Sequence, residues 1–270
     1  GKSMFDSPAR RGLMYWPGTD TAAARIIFPA GKWIFALDPK TGQPIESFGE
    51  NGRVEIPTSG TVGGAVWRHI YVVPGYHGDV FGYDVVSGRQ LWRFHTIPKP
   101  GEFGAETWSE GATGANCWGG MALDEVRGIA YVATGSPKPN FIGFGDSGDH
   151  VFSNSVIALK AATGERLWHF QEVRHDIWNF DLAAPPNLVT VTLHGRRVDA
   201  VSQVTKLGNT LLLDRVTGQP LFPFRLRRAP ESKLPGERTA PYQPDLELPQ
   251  PFVRSNFTFY ADHITNRTPE

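Results

Sequence analysis

The feature that most constrains the fold is a hairpin signature that occurs four times along the chain. Each copy has a short apolar strand that ends in an acidic or polar residue, a tight turn closed by Gly, and a second strand. The copies are IFALDPKTGQPIESF (34–48), VFGYDVVSGRQLWRF (80–94), VIALKAATGERLWHF (156–170) and LLLDRVTGQPLFPF (211–224). Gly supplies the positive φ that such a turn needs, and Asp at the first turn position can accept hydrogen bonds from backbone N–H groups ahead of it. Each copy therefore predicts a β-hairpin.

The spacing of these hairpins predicts how they are assembled. The first turn positions lie at residues 38, 84, 160 and 214, so they are 46, 76 and 54 residues apart. The long middle interval contains another strand pair, GMALDEVRGIAYVAT, which repeats the turn at Asp124 and Gly128. A propeller blade of four strands takes roughly 40–50 residues. The repeat therefore favours a propeller of about four blades over the alternative, a β-sandwich in which such turns coincide by chance.

Composition supports an all-β chain. The sequence has 30 Gly, 22 Pro, 17 Phe and 8 Trp, with only 20% charged residues. Such a composition favours strands and turns over long helices. No apolar helical period lasts for three turns, and no apolar run is long enough to cross a bilayer.

Charge and cysteine content exclude several classes of function. Lys plus Arg equals Asp plus Glu at 27 each, so no net field attracts nucleic acid or an anionic membrane. The single cysteine, Cys117, excludes an internal disulfide and a Cys-based zinc site, and we interpret it as a buried apolar side chain.

The repeat is interrupted in two places and stops near the C-terminal end. Residues 98–115 and 137–151 are too long for plain connectors, and we expect them to fold over one end of the array. Beyond residue 224 the chain becomes rich in Pro and loses its alternation. We therefore predict a partial propeller over residues 1–224, and an extended segment over residues 225–270 that packs on the propeller or leaves it.

Titratable residues crowd into one stretch between two strand signatures. His175, Asp176, Asn179 and Asp181 fall within seven residues, and Lys206 precedes the next apolar strand. Such crowding of titratable residues is typical of an active site. From the residues alone, Asp176 could instead fix the loop by accepting backbone hydrogen bonds, and Lys206 could be an exposed lysine at a strand end.

Several separated segments resemble the quinoprotein dehydrogenases that use pyrroloquinoline quinone (PQQ), closest to the membrane-bound glucose dehydrogenase branch and the related alcohol dehydrogenases. They are RRGLMYWPG (10–18), FHTIPKPGEFGAETW (94–108), CWGGMALDEVRGIAYVATGSP (117–137), LWHFQEVRHDIWNFDLAAPP (167–186) and PGERTAPYQP (235–244). The resemblance implies an eight-bladed propeller, of which this chain would be about half. Four blades leave two open sheet edges, so a second half-propeller or a homodimer would close the ring.

The resemblance also implies cofactor-binding residues. Trp118 matches the tryptophan on which the planar quinone stacks, and Arg11 matches an arginine that pairs with a cofactor carboxylate. Lys206 matches a cation beside the quinone oxygens, where it would stabilise developing negative charge.

The chain departs from the family pattern at two positions. The general base of the family is an Asp where this chain has Asn179, which cannot accept a proton. Asp176 and Asp181 flank it and would replace it only if the loop turns them inward. Ser136 occupies the position of an Asn metal ligand, and the Glu ligand falls near residue 73. We therefore take Asp176, Asn179 and Lys206 as catalytic candidates and Ser136 as the metal candidate.

The function implied by the resemblance is a PQQ-dependent dehydrogenase that oxidises a sugar or alcohol by hydride transfer to the quinone. The implied cofactors are PQQ and Ca²⁺ or Mg²⁺, the electron acceptor is ubiquinone or cytochrome c, and the location is periplasmic. The alternative is a catalytically impaired propeller that serves as a binding or assembly module, which Asn179 and Ser136 suggest.

Overall fold

The computed structural model describes residues 11–141, 143 and 148–252. Within them, a single 3₁₀ turn (Ala105–Thr107) is the sole helical element, and everything else regular is β-structure. The strands are, in chain order, β1 (Met14–Trp16), β2 (Arg25–Leu37), β3 (Arg53–Gly60), β4 (Ala65–Trp67), β5 (Ile70–Pro74), β6 (Val80–Asp84), β7 (Gln90–Phe94), β8 (Thr113–Gly114), β9 (Met121–Asp124), β10 (Ile129–Ala133), β11 (Pro137–Lys138), β12 (Ser155–Lys160), β13 (Arg166–Gln171), β14 (Asn187–Leu193), β15 (Arg196–Val204), β16 (Thr210–Asp214), β17 (Phe224–Arg228) and β18 (Tyr242–Leu246).

Four antiparallel sheets form the body of the structure, and each corresponds to one predicted blade. They have the strand orders β1-β2-β3, β4-β5-β6-β7, β9-β10-β12-β13 and β14-β15-β16. Neighbouring strands of a sheet follow one another along the chain, as in a propeller blade built by successive hairpins. The prediction of an all-β fold with about four blades is confirmed.

The turns of the repeat have the predicted geometry. The N–H of Gly88 donates to the carbonyl of Asp84 at 2.8 Å, and Gly42, Gly164 and Gly218 make the same bond to the first residue of their turns. All four glycines have φ between +70° and +76°. The Asp84 carboxylate accepts from backbone N–H groups two and three residues ahead. Asp therefore holds the turn and Gly permits it.

The hairpins differ in their second strands. The second and third hairpins continue as full strands, β7 and β13, whereas the first and fourth shrink to single bridges at Leu37–Pro44 and Leu213–Pro220. Pro has no N–H to donate to a ladder, so a strand that opens on Pro pairs poorly. The sequences TGQP in these two copies, against SGRQ and TGER in the others, account for the difference.

Tryptophans join each blade to the next. Each indole Nε1–H donates to a backbone carbonyl of the following blade, at 2.7 to 3.3 Å: Trp16 to Arg68, Trp67 to Glu125, Trp92 to Ala161 and Trp168 to Arg215. The Trp92 and Trp168 rings also lie against the turn glycines Gly164 and Gly218, where a Cβ atom would come within 2.5 Å of the ring.

Three apolar clusters fill the spaces between consecutive sheets, and a fourth lies on the first sheet. Tyr71, Ile157 and Leu213 are representative buried members of the first three. The fourth, around Phe28 and Phe35, belongs to β2 alone. These two rings stack with centroids 5.6 Å apart, whereas seven residues of extended strand would span roughly 23 Å. The chain therefore folds back within β2.

Cys117 lies in the cluster between the second and third sheets and has no exposed surface. Burial raises the pKa of its thiol far above the usual value, and the prediction of a buried side chain is confirmed.

The two long loops pack on each other. Strand β8 of the first loop pairs with β11 of the second, and Trp108 Nε1 donates to the carbonyl of Val151 at 2.9 Å. The Pro-rich segment contains the hairpin β17–β18, which is bound to the preceding part of the chain by paired hydrogen bonds between Gln243 and the Arg174 backbone. The boundary at residue 224 remains a prediction. In the part of the chain described, no helix has the length and apolar character needed to span a membrane.

Candidate functional site

The loop of residues 172–181 is organised by a buried carboxylate. Asp176 is 2% exposed and accepts four hydrogen bonds, from the Ser136 hydroxyl, the Asn154 side-chain amide, and the backbone N–H groups of Trp178 and Phe180. Three of these bonds are made to Oδ2 and one to Oδ1. Its role in the structure is to hold the loop, as the residues alone had suggested.

This loop turns sharply enough to separate two cavities. His175 and Asn179 both have left-handed backbone conformations, with φ of +49° and +65°. Asn adopts this region more readily than most residues do. As a result, Asn179 and Asp181 line one cavity, whereas Asp176 and Trp178 line the other.

The first cavity is a polar cleft of about 380 Å³ built around Trp118. The Arg11 guanidinium carbon lies 5.1 Å from the centre of the indole ring, and Lys206 Nζ lies 5.8 Å from it. Both distances are within the range of a cation–π interaction. Arg11 also donates to the Trp118 carbonyl at 2.9 Å. Residues separated by almost two hundred positions are therefore gathered on one aromatic ring.

Glycine explains how Trp118 reaches this position. A Cβ atom on Gly119 would come within 2.3 Å of the Leu182 carbonyl oxygen, so only glycine allows the segment after Trp118 to lie against the segment after Asp181. On the other side, the N–H of Cys117 donates to the Gly75 carbonyl at 3.0 Å. The CWGG motif thus fixes the ring between the second blade and the loop.

Lys206 ties the loop to the ring. Its ammonium donates to Asp181 Oδ2 at 2.8 Å and to the Asn179 carbonyl at 2.9 Å. The other oxygen of Asp181 accepts the Ser136 N–H at 2.7 Å. The Asp181 side chain is only 6% exposed, whereas the Lys206 side chain is 34% exposed. Lys206 is therefore part of the cleft and not a free lysine at a strand end.

The cleft carries excess positive charge and unused acceptors. Arg11, Lys138 and Asp181 all line it, and Lys206 reaches it through Asp181. The side-chain oxygens of Asn116 and Asn179 have no hydrogen-bond partner among the described residues. A planar anion would match the aromatic face and the three cations.

The structure brings together most, but not all, of the residues predicted from the sequence. Arg11, Trp118, Asn179 and Lys206 meet in the cleft. Asp176 lies behind the loop. Lys138 and Asn116 were not anticipated, although each is next to or near a segment that carries the family resemblance.

The Ser136 side chain is not available to bind a metal ion. It is fully buried, and its hydroxyl is committed to Asp176. Across the residues that the structure describes, no three His, Cys, Asp or Glu side chains converge on one point.

The second cavity, of about 560 Å³, lies between the loop and the β17–β18 hairpin. Trp178, which is 65% exposed, lines it together with the buried Glu172. Asn209 donates to Glu172 Oε1 at 2.8 Å. Burial raises the pKa of Glu172 to about 7, against the opposing effect of hydrogen bonds from Asn209 and Thr205.

Comparison with known proteins shows one family. A family model described as the β-propeller domain of PQQ-dependent glucose/ethanol/alcohol dehydrogenases matches residues 2–270. Quinoprotein glucose dehydrogenase A of Acinetobacter calcoaceticus is 31% identical, over 85% of this chain and 34% of its own length. The quinohemoprotein alcohol dehydrogenase ADH-IIG of Pseudomonas putida is 29% identical, over 82% of this chain and 33% of its own length.

A solved structure agrees with the fold. The quinohemoprotein alcohol dehydrogenase of Comamonas testosteroni superimposes with a TM-score of 0.67 and 24% identity, over 86% of this chain and 38% of that one. The chain thus spans about a third of the length of the curated relatives it matches.

Proposed function

The chain belongs to the family of PQQ-dependent glucose/ethanol/alcohol dehydrogenase β-propellers, and from this premise we propose that its protein oxidises a sugar or alcohol with PQQ as the oxidant. The observation that carries the proposal is the cleft in which Arg11 and Lys206 both lie against the Trp118 ring. The named relatives are glucose and alcohol dehydrogenases, so the alternative of an impaired binding module has no support from them.

The residues of the cleft fit PQQ. PQQ is a planar aromatic ortho-quinone that carries carboxylates, so it needs a flat hydrophobic face and several cations. Trp118 provides the face, and Arg11, Lys138 and Lys206 provide positive charge that the single carboxylate of Asp181 does not cancel. The cleft volume of about 380 Å³ is within the usual range for small-molecule sites, ~300–1,000 Å³.

Each side chain of the cleft has a defined task in this proposal. When bound, PQQ would supply the two-electron acceptor for oxidation of a carbinol carbon. Trp118 would hold the ring system by stacking, and Arg11 would pair with a carboxylate of the cofactor. Lys206 would place a positive charge near the quinone oxygens, where it would stabilise negative charge that develops during the reaction. Its bonds to Asp181 and the Asn179 carbonyl fix its position.

Family membership also implies a metal ion, but the described residues contain no group of three His, Cys, Asp or Glu side chains that could hold one. Ser136, the sequence-based candidate, is fully buried and bound to Asp176. We therefore assign no step to Ca²⁺ or Mg²⁺. Ubiquinone or cytochrome c as the acceptor, a periplasmic location, and closure of the ring by a second half or a second copy are parts of the same proposal.

Titration with PQQ tests the proposal directly. We expect saturable quenching of tryptophan fluorescence that disappears in Trp118→Ala, because the ring that stacks on the quinone would be absent. Trp178→Phe is the matched control, since Trp178 is exposed and lines the other cavity, and this variant should keep the quenching.

Dye reduction by the full-length protein supplied with PQQ and Ca²⁺ or Mg²⁺ tests the activity itself. Reduction of dye upon addition of a sugar or alcohol supports the dehydrogenase. Full quenching in the Trp118 variant, or no reduction of dye with any substrate of either class, would contradict the proposal.

A further inference from the structure

Oxidation of a carbinol needs a group that accepts the hydroxyl proton, and this chain lacks one at the expected place. Asn179 occupies the position of the family's general base, and an amide cannot accept a proton near neutral pH. Two carboxylates flank it in the loop, Asp176 and Asp181. The structure distinguishes between them by where each points and by how many hydrogen bonds each already accepts.

Asp176 is unsuitable on both grounds. It already accepts four hydrogen bonds from within the protein, three at Oδ2 and one at Oδ1, and it lines the cavity on the far side of the loop from Trp118. Protonating it would remove acceptors from backbone groups that shape the loop. Its contribution is structural.

Asp181 meets both requirements. It lines the cleft beside Trp118 and Asn179. It accepts only two hydrogen bonds from the described residues, from the Ser136 N–H and from Lys206, so about two acceptor positions remain. Lys206 bridges the carboxylate and the Trp118 ring, with Nζ 2.8 Å from Asp181 Oδ2 and 5.8 Å from the ring centre.

We infer that Asp181 is the proton acceptor for the substrate hydroxyl in this chain, an inference that rests on the proposed function. In the balanced step, the substrate O–H bond breaks and its proton moves to a carboxylate oxygen of Asp181. Bound PQQ would supply the two-electron oxidant, to which the carbinol hydrogen would leave with the electron pair of its C–H bond. The carbon–oxygen bond of the substrate becomes a carbonyl. Lys206 orients the carboxylate and is a positioning residue for it.

The test compares Asp181→Asn with the wild type in the full-length protein. We expect kcat to fall by about 100- to 10,000-fold, the usual contribution of a general base. The dissociation constant for PQQ, measured by tryptophan quenching without substrate, should change by less than about threefold, because Arg11, Lys138 and Trp118 remain in place and the substituted amide oxygen can still accept from Lys206.

Two further variants separate proton transfer from a loss of structure. In Asp181→Ala, added formate should restore part of the activity, because a small carboxylate can occupy the vacated space and accept the proton. The double variant Asp181→Asn/Asn179→Asp should recover turnover relative to Asp181→Asn alone, because it restores a carboxylate at the neighbouring cleft position. A loss of activity caused only by altered structure would be restored neither by formate nor by the second substitution.

Each contrary result has a distinct meaning. Loss of PQQ binding in Asp181→Asn, at an unchanged melting temperature, would show that Asp181 holds the cofactor and would overturn the inference. Turnover of Asp181→Asn within tenfold of the wild type would also overturn the inference. Failure of the wild-type protein to bind PQQ would instead overturn the proposed function on which the inference rests.

Discussion

Two carboxylates five residues apart show how partners decide the role of a side chain. Asp176 and Asp181 have the same chemistry, but the first accepts four hydrogen bonds and the second accepts two. Sequence alone left both open, because the decisive donors, Ser136 and Asn154, lie 22 to 45 residues earlier in the chain. By contrast, Trp118 could be found from its motif.

A third carboxylate in the same loop makes stability depend on pH. Burial raises the pKa of Glu172 from 4.5 to about 7, so between these values the unfolded chain ionises Glu172 and the folded protein does not. The unfolded state therefore binds fewer protons, and folding stability falls as pH rises through this window, by roughly 3 kcal/mol in all.

Glu172→Gln should remove this dependence. We expect the variant to match the wild type near pH 4 and to be more stable than it at pH 8, because the amide needs no ionisation. Urea unfolding at several pH values gives the free energy of unfolding of both proteins. In the difference between them, the contributions of other titrating groups cancel. A difference that stays constant from pH 4 to pH 8 would contradict the raised pKa.

At the scale of the element, one turn recurs in two different surroundings. Gly42 and Gly218 occupy the same turn position with φ of +70° and +73°. A Cβ atom on Gly42 would meet nothing within 4 Å, whereas one on Gly218 would come within 2.5 Å of the Trp168 ring. The first glycine is required by the backbone alone, and the second also by the packing of neighbouring blades.

Alanine at these two positions should separate the two requirements. Gly42→Ala should cost about 1–2 kcal/mol, the strain of a left-handed alanine. Gly218→Ala should cost a further 1–3 kcal/mol or so, because the methyl group overpacks against Trp168. The melting temperatures of the two variants give the comparison, and equal losses would show that the indole does not restrain the turn.

The hairpins were the most predictable elements, for a local reason. In each turn the N–H of Gly donates to the carbonyl four residues back, and in three of the four copies that residue is Asp, so the sequence carries the whole signal. The interlocking tryptophans were not anticipated, because each contact joins residues of different blades. Trp92 and Ala161, for example, are 69 positions apart.

For the site, too, local motifs could be predicted from the sequence and long-range contacts could not. The family resemblance identified Arg11, Trp118 and Lys206, which the fold then brought onto one ring. Lys138 was missed because its position in the cleft depends on the pairing of β11 with β8, a contact between the two long loops. Long-range pairing of this kind leaves no short pattern in the sequence.

At the scale of the whole molecule, stacking leaves two blade faces unmatched. Four sheets in sequence create three interfaces, each filled by its own apolar cluster. A closed ring has as many interfaces as blades. Unmatched blade faces and open sheet edges favour association.

We therefore expect the isolated 270-residue chain to associate, whereas a longer protein that contains it should be able to bury these faces internally. Sedimentation velocity of both across a tenfold range of concentration measures this. A defined dimer of the isolated chain would support closure by a second copy, because a two-fold arrangement can match both faces at once. Open-ended aggregation would indicate that the faces are shaped for other blades. A stable monomer at all concentrations would contradict the expectation, since it would mean that four blades are stable without a partner on their outer faces and open sheet edges.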